Sequence, residues 1–188
     1  MNKLNVILMH GKNTNPTKKW YSWLKSEMQK NNIEFHAPFL PKAEDPEINE
    51  WLAELDKIKP NENSILIGHS RGGVAILRWL EIQPEDFRVK KVILVGTNSG
   101  HSEKMNKTEN NKGFYSKEGF DFSKIKSHCD NFVVLHSKDD EWVPFSAGEE
   151  NAKGLDAKFL KFKDRGHFGS KLPKQEIPEL LDEILSTK

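Results

Sequence analysis

The chain has 188 residues, and its 29 Lys and Arg are balanced by 28 Asp and Glu, for a formal net charge of +1 at pH 7. A net charge so close to zero produces no field that would recruit nucleic acid or an anionic membrane, so we expect neither as a partner. The length predicts a single domain over residues 1–188. The sequence predicts a cytoplasmic protein, because it has one cysteine, no signal-peptide pattern and no apolar run near the ~20 residues of a membrane span.

Predicted strands and helices alternate along the chain. Apolar runs predict strands at residues 6–9, 33–38, 64–67, 89–96, 131–136 and 157–162, and helical periodicity predicts helices at about 18–30, 47–58, 74–80 and 178–185. A polar stretch, residues 100–118, is interpreted as a surface loop, with a short flap over a ligand site as the alternative. The alternation predicts an α/β fold with a mainly parallel sheet and helices on both faces.

The residues Gly68-His69-Ser70-Arg71-Gly72 join the third predicted strand to a helix. A Gly-X-Ser-X-Gly motif in this setting is typical of a nucleophile elbow, in which a strained turn exposes the serine hydroxyl at the end of a sheet. Gly68 and Gly72 would leave room for the neighbouring chain. The motif predicts Ser70 as a nucleophile, against the alternative of a flexible turn with an idle serine.

A serine hydroxyl needs a base within hydrogen-bond reach, and histidine is the usual one because imidazole takes and returns a proton near neutral pH. His167 is the candidate, because it lies in a glycine-flanked loop directly after the last predicted strand. His69 adjoins the nucleophile, where successive side chains diverge, and His10 either lines the site or supports its loop. The remaining histidines are interpreted as structural or solvated: His36, His101, His128 and His136.

The acid that orients such a histidine should follow a strand between the serine and the histidine. Asp140 occupies this position, with Asp139 as the alternative, or both residues only cap a turn. The order Ser70, Asp140, His167 is that of α/β-hydrolases. In this arrangement the carboxylate holds the histidine tautomer and stabilises the imidazolium that forms during attack.

Backbone N–H groups should form the oxyanion hole. We expect one from Arg71, after the nucleophile, and a second from Lys12 in the loop after the first strand, with Asn13 as the next candidate. Aromatic side chains could line an apolar substrate pocket beside His10, or belong to the core: Phe114, Tyr115 and Trp142.

Other chemistries lack their motifs. The sequence has no metal-binding motif and no glycine pattern for phosphate binding, so we expect no metal and no cofactor. Cys129 precedes a strand and is interpreted as a small buried side chain.

Four segments together resemble one known family: His10-Gly11, 68–73, Ser137 to Asp140 with Val143-Pro144, and Gly166-His167-Phe168. The resemblance is to the small serine hydrolases of the retinoblastoma-binding protein 9 and YdeN type, and it covers nearly the whole chain. It implies an α/β-hydrolase fold without a large cap domain, and hydrolysis of small-molecule esters or amides by Ser70, Asp140 and His167.

The retinoblastoma-binding property is not implied. The Leu-X-Cys-X-Glu pattern is absent, since Ser127 and Asn131 flank Cys129 where Leu and Glu would be needed.

The favoured function is a serine hydrolase that cleaves carboxylic esters through an acyl-enzyme, with thioesters or peptides as alternative substrates. The rival from another class is an interaction protein that keeps the fold with weak or vestigial activity.

Overall fold

In the computed structural model, which describes residues 3–104 and 111–187, six strands form one sheet. The strands are β1 (Asn5–Met9), β2 (Glu34–His36), β3 (Ser64–His69), β4 (Lys91–Val95), β5 (Phe132–Ser137) and β6 (Lys158–Phe162). Their order is β2-β1-β3-β4-β5-β6, and each neighbouring pair is parallel. The predicted parallel sheet is confirmed.

Helices cover both faces of this sheet. They are α1 (Tyr21–Lys30), α2 (Ile48–Ile58), α3 (Arg71–Leu80), α4 (Phe122–Lys126), α5 (Phe145–Gly154) and α6 (Pro178–Leu185). Short 3-10 turns lie at Ser102–Lys104 and Pro173–Gln175. Successive residues of β1 point to opposite faces, so Val6 and Leu8 join one apolar cluster with α1 and α6, while Ile7 and Met9 join a second with α2 and α3.

The helices differ from the sequence prediction at the start of α1 and in the two helices that were not predicted, α4 and α5. Helix α1 begins at Tyr21 instead of about residue 18, because Lys19 has a φ of 56°, which is incompatible with a right-handed helix. Helix α5 was not predicted from the sequence. Its buried face consists of small or polar side chains, which give no apolar periodicity: Ala147, Gly148, Asn151 and Ala152.

In a parallel sheet the carboxyl ends of all strands lie at one edge, and the loops that follow them meet there. The predicted nucleophile, acid and histidine follow β3, β5 and β6. The predicted loop at 100–118 follows β4, and residues 105–110 of it lie outside the described residues. Its described parts meet at a bridge between His101 and Ser116. The flap stays a prediction.

Candidate active site

Ser70 lies in a strained turn between β3 and α3. Its φ is 53° and its ψ is −123°, a conformation that non-glycine residues rarely adopt. The Ser70 N–H donates to the carbonyl of Val95 at 2.9 Å, which fixes the turn to β4. A Cβ at Gly72 would lie 2.1 Å from the carbonyl oxygen of Met9, and one at Gly68 would overlap the start of α3. The turn therefore requires its glycines and has the geometry of a nucleophile elbow.

Asp140, after β5, binds His167, after β6. The His167 Nδ1–H donates to Asp140 Oδ2 at 2.7 Å. Asp140 Oδ1 accepts the backbone N–H groups of Trp142 and Val143, each at 2.9 Å. The Asp140 side chain is completely buried, whereas that of His167 is 13% exposed. The carboxylate is thus held from three directions and the imidazole lies at the surface of the site.

The electrostatics of Asp140 favour its ionised form. Burial alone would raise its pKa, but the hydrogen bond and charge of His167 and the N–H groups of Val143 and Trp142 outweigh burial, so the pKa lies below its usual 3.8. Asp140 is therefore a carboxylate at neutral pH. A carboxylate in this position can stabilise an imidazolium on His167.

Ser70 and His167 both lie beside the end of β4. Gly96 has a φ of +53°, and a Cβ there would lie 3.2 Å from His167 Nδ1 and 3.3 Å from Asp140 Oδ2. The ring of His69, the residue before the nucleophile, lies with its centroid 4.9 Å from that of His167. Ser70 Oγ makes no hydrogen bond within the described residues. Catalytic hydrogen bonds are often long without substrate and shorten when it binds.

The loop after β1 passes directly beside the nucleophile. A Cβ at Gly11 would lie 3.2 Å from Ser70 Cβ, so the residue before Lys12 packs beside the serine. The N–H of the alternative candidate, Asn13, instead donates to the carbonyl of Ala43 at 2.8 Å. This favours Lys12 over Asn13 as the second oxyanion donor. The oxyanion roles of Lys12 and Arg71 stay predictions.

Two of the four expected pocket residues lie inside the protein. His10 Nδ1–H donates to the carbonyl of Gly11 at 2.8 Å, and its Nε2 accepts the N–H of Leu40 at 3.1 Å. His10 thus supports the loop. Phe114 has no exposed surface and packs edge-on against Trp51, with a centroid distance of 5.3 Å. A side chain without exposed surface belongs to the core in this conformation and does not line an open pocket.

The other two differ in exposure. Tyr115 is nearly buried, and its ring lies 5.4 Å from the guanidinium carbon of Arg71, the residue after the nucleophile. Trp142 is 76% exposed in the loop that follows Asp140. Of the four, Trp142 is the side chain most accessible to a substrate.

Three further residues hold the site, and the sequence assigned them no such role. Asp139 Oδ1 accepts the Ser137 hydroxyl at 2.6 Å and the N–H of Gly166 at 2.9 Å, so it binds the histidine loop to β5. His136 is buried with Nε2 3.5 Å from Asp140 Oδ2. The third, Asn151 of α5, donates to the carbonyls of Thr97 and Asn98 after β4. The bonds from Asp139 to Gly166 and from Asn151 to the residues after β4 join positions far apart in the chain, so they leave no local pattern in the sequence.

Neither Cys129 nor a metal site offers an alternative chemistry in the part of the chain that the structure describes. Cys129 is buried, as expected, and burial raises the pKa of its thiol to about 11, so the thiol is not a nucleophile at neutral pH. Within residues 3–104 and 111–187, no His, Cys, Asp and Glu side chains form a group of three or more suited to a metal ion. In the same ranges no helix is long and apolar enough to cross a membrane.

Comparison with known proteins assigns the chain to a family. The sequence model of the family described as serine hydrolase matches residues 6–185, nearly the whole chain. The chain belongs to this serine hydrolase family. The hydrolase is 30% identical over 165 residues to YdeN of Bacillus subtilis, an alignment that covers 87% of this chain and 85% of YdeN. It is also 30% identical over 154 residues to the serine hydrolase RBBP9 of Rattus norvegicus, covering 81% and 79% of the two chains.

Solved structures agree with this family and with the fold. The crystal structure of the ydeN gene product of B. subtilis superposes with a TM-score of 0.86 at 26% identity, covering 98% of each chain. An extracellular α/β-hydrolase from a Paenibacillus species superposes with a TM-score of 0.64 at 16% identity, covering 97% of each chain, and shows the fold alone. The serine hydrolase has the predicted α/β-hydrolase fold, with no large cap evident among its described residues.

Proposed function

We propose that this serine hydrolase cleaves carboxylic esters, and small amides, through an acyl-enzyme on Ser70. The observation that carries the proposal is the 2.7 Å hydrogen bond between His167 Nδ1 and Asp140 Oδ2 at the sheet edge where the elbow holds Ser70. Because Asp140 binds Nδ1–H, the neutral imidazole carries its lone pair on Nε2. Nε2 is then the atom that accepts the serine proton.

In the first step His167 Nε2 removes the proton from the Ser70 hydroxyl as Ser70 Oγ bonds to the substrate carbonyl carbon. The ionised Asp140 stabilises the resulting imidazolium, as its lowered pKa supports. Collapse of the tetrahedral intermediate breaks the bond to the leaving group. The imidazolium returns the proton to that alcohol or amine, and the acyl group stays on Ser70.

The negative oxygen of the tetrahedral intermediate needs donors at fixed positions. We assign this role to the backbone N–H groups of Arg71 and Lys12. Arg71 directly follows the nucleophile, and Lys12 follows Gly11, which packs beside Ser70. One such donor is worth about 3 kcal/mol in the transition state. In the second step His167 Nε2 removes a proton from water as the water oxygen bonds to the acyl carbon. The bond from that carbon to Ser70 Oγ then breaks, the imidazolium returns the proton to Ser70, and the acid product leaves.

Substrate size follows from the surroundings of the site. The chain has no large cap among its described residues, and Trp142 beside the acid is 76% exposed. This supports small-molecule esters or amides that reach Ser70 from solvent.

The test is intact-mass labelling with a fluorophosphonate, which reacts with an activated serine. We expect one adduct on the wild type and none on Ser70→Ala or His167→Ala. The matched controls are Ser26→Ala and His36→Ala, which change exposed or partly exposed side chains and should label like the wild type. An ester and aminoacyl-amide panel then identifies the preferred bond.

A folded wild type that forms no adduct would contradict the proposal and favour the interaction protein with a vestigial site. An adduct that persists in Ser70→Ala would place the nucleophile elsewhere.

A further inference from the structure

We infer that His69 is a positioning residue: its ring holds the backbone of His167 and thereby sets the position of the imidazole beside Ser70. The inference rests on the proposed function, in which His167 is the base. His69 was a poor candidate for the base, because it adjoins the nucleophile, and its two ring nitrogens bond to the Tyr21 hydroxyl and to the His167 backbone instead.

The hydrogen bonds of His69 define its tautomer. Its Nε2 lies 2.9 Å from the carbonyl oxygen of His167, and because a carbonyl only accepts, the proton is on Nε2. Its Nδ1 therefore accepts, and the Tyr21 hydroxyl donates to it at 2.6 Å. The Tyr21 oxygen in turn receives the N–H of Gly11 at 3.4 Å. The chain of contacts links the loop beside the oxyanion hole to the loop that carries the histidine.

Packing leaves this arrangement little freedom. His69 and Tyr21 have no exposed surface. The Trp20 ring meets that of His69 edge-on at a centroid distance of 5.9 Å, and that of Tyr21 at 4.7 Å. Because these groups are buried, a lost bond leaves a polar atom unpaired inside the protein. The position of the His167 backbone thus depends on the His69 ring.

The charge of His69 also matters, because His167 becomes an imidazolium during the reaction. A second cation 4.9 Å away would oppose that charge. Burial, followed by the nearby His167, Lys19 and His10, holds the pKa of His69 well below its usual 6.5, so the ring stays neutral. Burial raises the pKa of Tyr21, so its hydroxyl also stays neutral and keeps the proton that it donates.

A matched pair of substitutions separates the two ring nitrogens. The amide nitrogen of His69→Gln can take the place of Nε2 and keep the bond to His167, while the shorter side chain of His69→Asn can reach only the place of Nδ1 and its bond to Tyr21. Both variants lose the ring that packs against Trp20. Each variant thus keeps one of the two bonds, so a loss that is larger in His69→Asn than in His69→Gln follows the bond to His167 and not the bond to Tyr21.

The kinetic expectation is a change in kcat with little change in KM. A misplacement of about 1 Å in a catalytic group can cost about 100-fold in rate. We expect His69→Asn to lose about 100-fold in kcat on an activated ester and His69→Gln to recover most of that loss. Equal kcat in the two variants would overturn the inference. His36→Gln and His36→Asn, on the edge strand β2, control for the substitutions themselves.

Hydrogen exchange gives a readout that does not require activity. Two N–H groups of the histidine loop are hydrogen-bonded: that of Gly166 to Asp139 Oδ1 at 2.9 Å and that of Phe168 to the carbonyl of Arg165 at 3.0 Å. We expect their exchange to speed up in His69→Asn and to remain near wild type in His69→Gln. Equal exchange in the two variants would also overturn the inference.

The two proposals can fail separately. A wild type that does not label with fluorophosphonate contradicts the proposed function, and the exchange comparison still decides whether His69 holds the loop. A wild type that labels, with the two His69 variants alike in kcat and exchange, leaves the proposed function standing and removes the role of His69.

Discussion

Asp139 and Asp140 are adjacent residues with different partners. Asp140 Oδ2 accepts the side chain of His167, whereas Asp139 Oδ1 accepts the backbone N–H of Gly166, the residue before it. Asp140 is buried, and Asp139 is about one-third exposed. The first therefore acts on the imidazole itself and the second on the loop that carries it.

Asp140→Asn should reduce kcat by roughly 10⁴, because the amide would stabilise neither the required tautomer nor the imidazolium of His167. KM should change little, since the carboxylate does not touch the substrate. Steady-state kinetics on an activated ester, with circular dichroism to verify folding, measures the effect.

Asp139→Asn is the matched control. It keeps the Asp140 to His167 bond, and its remaining carbonyl oxygen can still accept the Gly166 N–H, so we expect less than a tenfold loss. A larger loss in Asp139→Asn than in Asp140→Asn would reverse the assignment of the acid.

At the scale of elements, α3 joins the elbow to the polar segment after β4 through one side chain. Arg78 donates to the carbonyl oxygens of Phe114 at 3.1 Å, Gly119 at 2.9 Å and Gly100 at 3.2 Å. Its guanidinium also pairs with Glu81 at 2.9 Å and lies 4.7 Å from the centroid of the Phe120 ring. The nearly buried guanidinium of Arg78 thus binds three backbone carbonyl groups, which follow β4, to the helix that follows Ser70.

Arg78→Met should loosen this segment, because the apolar stem remains while several carbonyl groups lose a charged donor. A hydrogen bond to a charged group contributes about 1.5–3 kcal/mol, and such bonds are not additive, so we expect a loss of about 3 kcal/mol in the free energy of unfolding. Urea unfolding measures the loss, and hydrogen exchange at residues 111–120 locates it.

Arg88→Met controls for removal of an arginine. Arg88 is exposed, and within the described part of the chain it binds the carbonyl oxygens of Glu85 and Phe87, which are near it in the sequence. Its loss should change stability by less than about 0.5 kcal/mol. Equal losses in the two variants would contradict the role given to Arg78.

At the scale of the whole molecule, acid stability depends on histidines buried in the neutral form. Burial lowers the pKa of His10, His69 and His136 below the usual 6.5. Because these pKa values are lower in the folded state, the unfolded chain binds protons first as the pH falls. Their stabilising contribution is complete above pH 6.5 and is lost as the pH falls through the folded pKa values.

The free energy of unfolding should therefore fall between pH 7 and pH 5. Each histidine that is protonated only in the unfolded state contributes up to about 1.4 kcal/mol per pH unit. Urea unfolding at half-unit intervals measures the slope, and His136→Gln should show a shallower slope than the wild type. A wild-type stability independent of pH over this range would contradict the prediction.

Much of the fold was predictable because its signals are local. The strands are short apolar runs, and α1, α2, α3 and α6 carry apolar faces of helical period. The unpredicted α5 packs through Gly148, where a Cβ would lie 2.5 Å from His136 Nδ1. A helix that approaches a strand so closely needs small residues on its inner face, and small residues give no apolar signal.

The sequence by itself determined the α/β class, the strained Gly-X-Ser-X-Gly turn and the candidate order Ser70, Asp140, His167, because each strand, helix and motif behind them is recognised from residues within a few positions of one another. Only the tertiary structure decided which side chains touch. The bond from His69 to His167 joins residues 98 positions apart, and the Asp140 to His167 bond joins residues 27 apart. Such bonds form only when the sheet brings the ends of β3, β5 and β6 to one edge and packing excludes the water that would otherwise take their place.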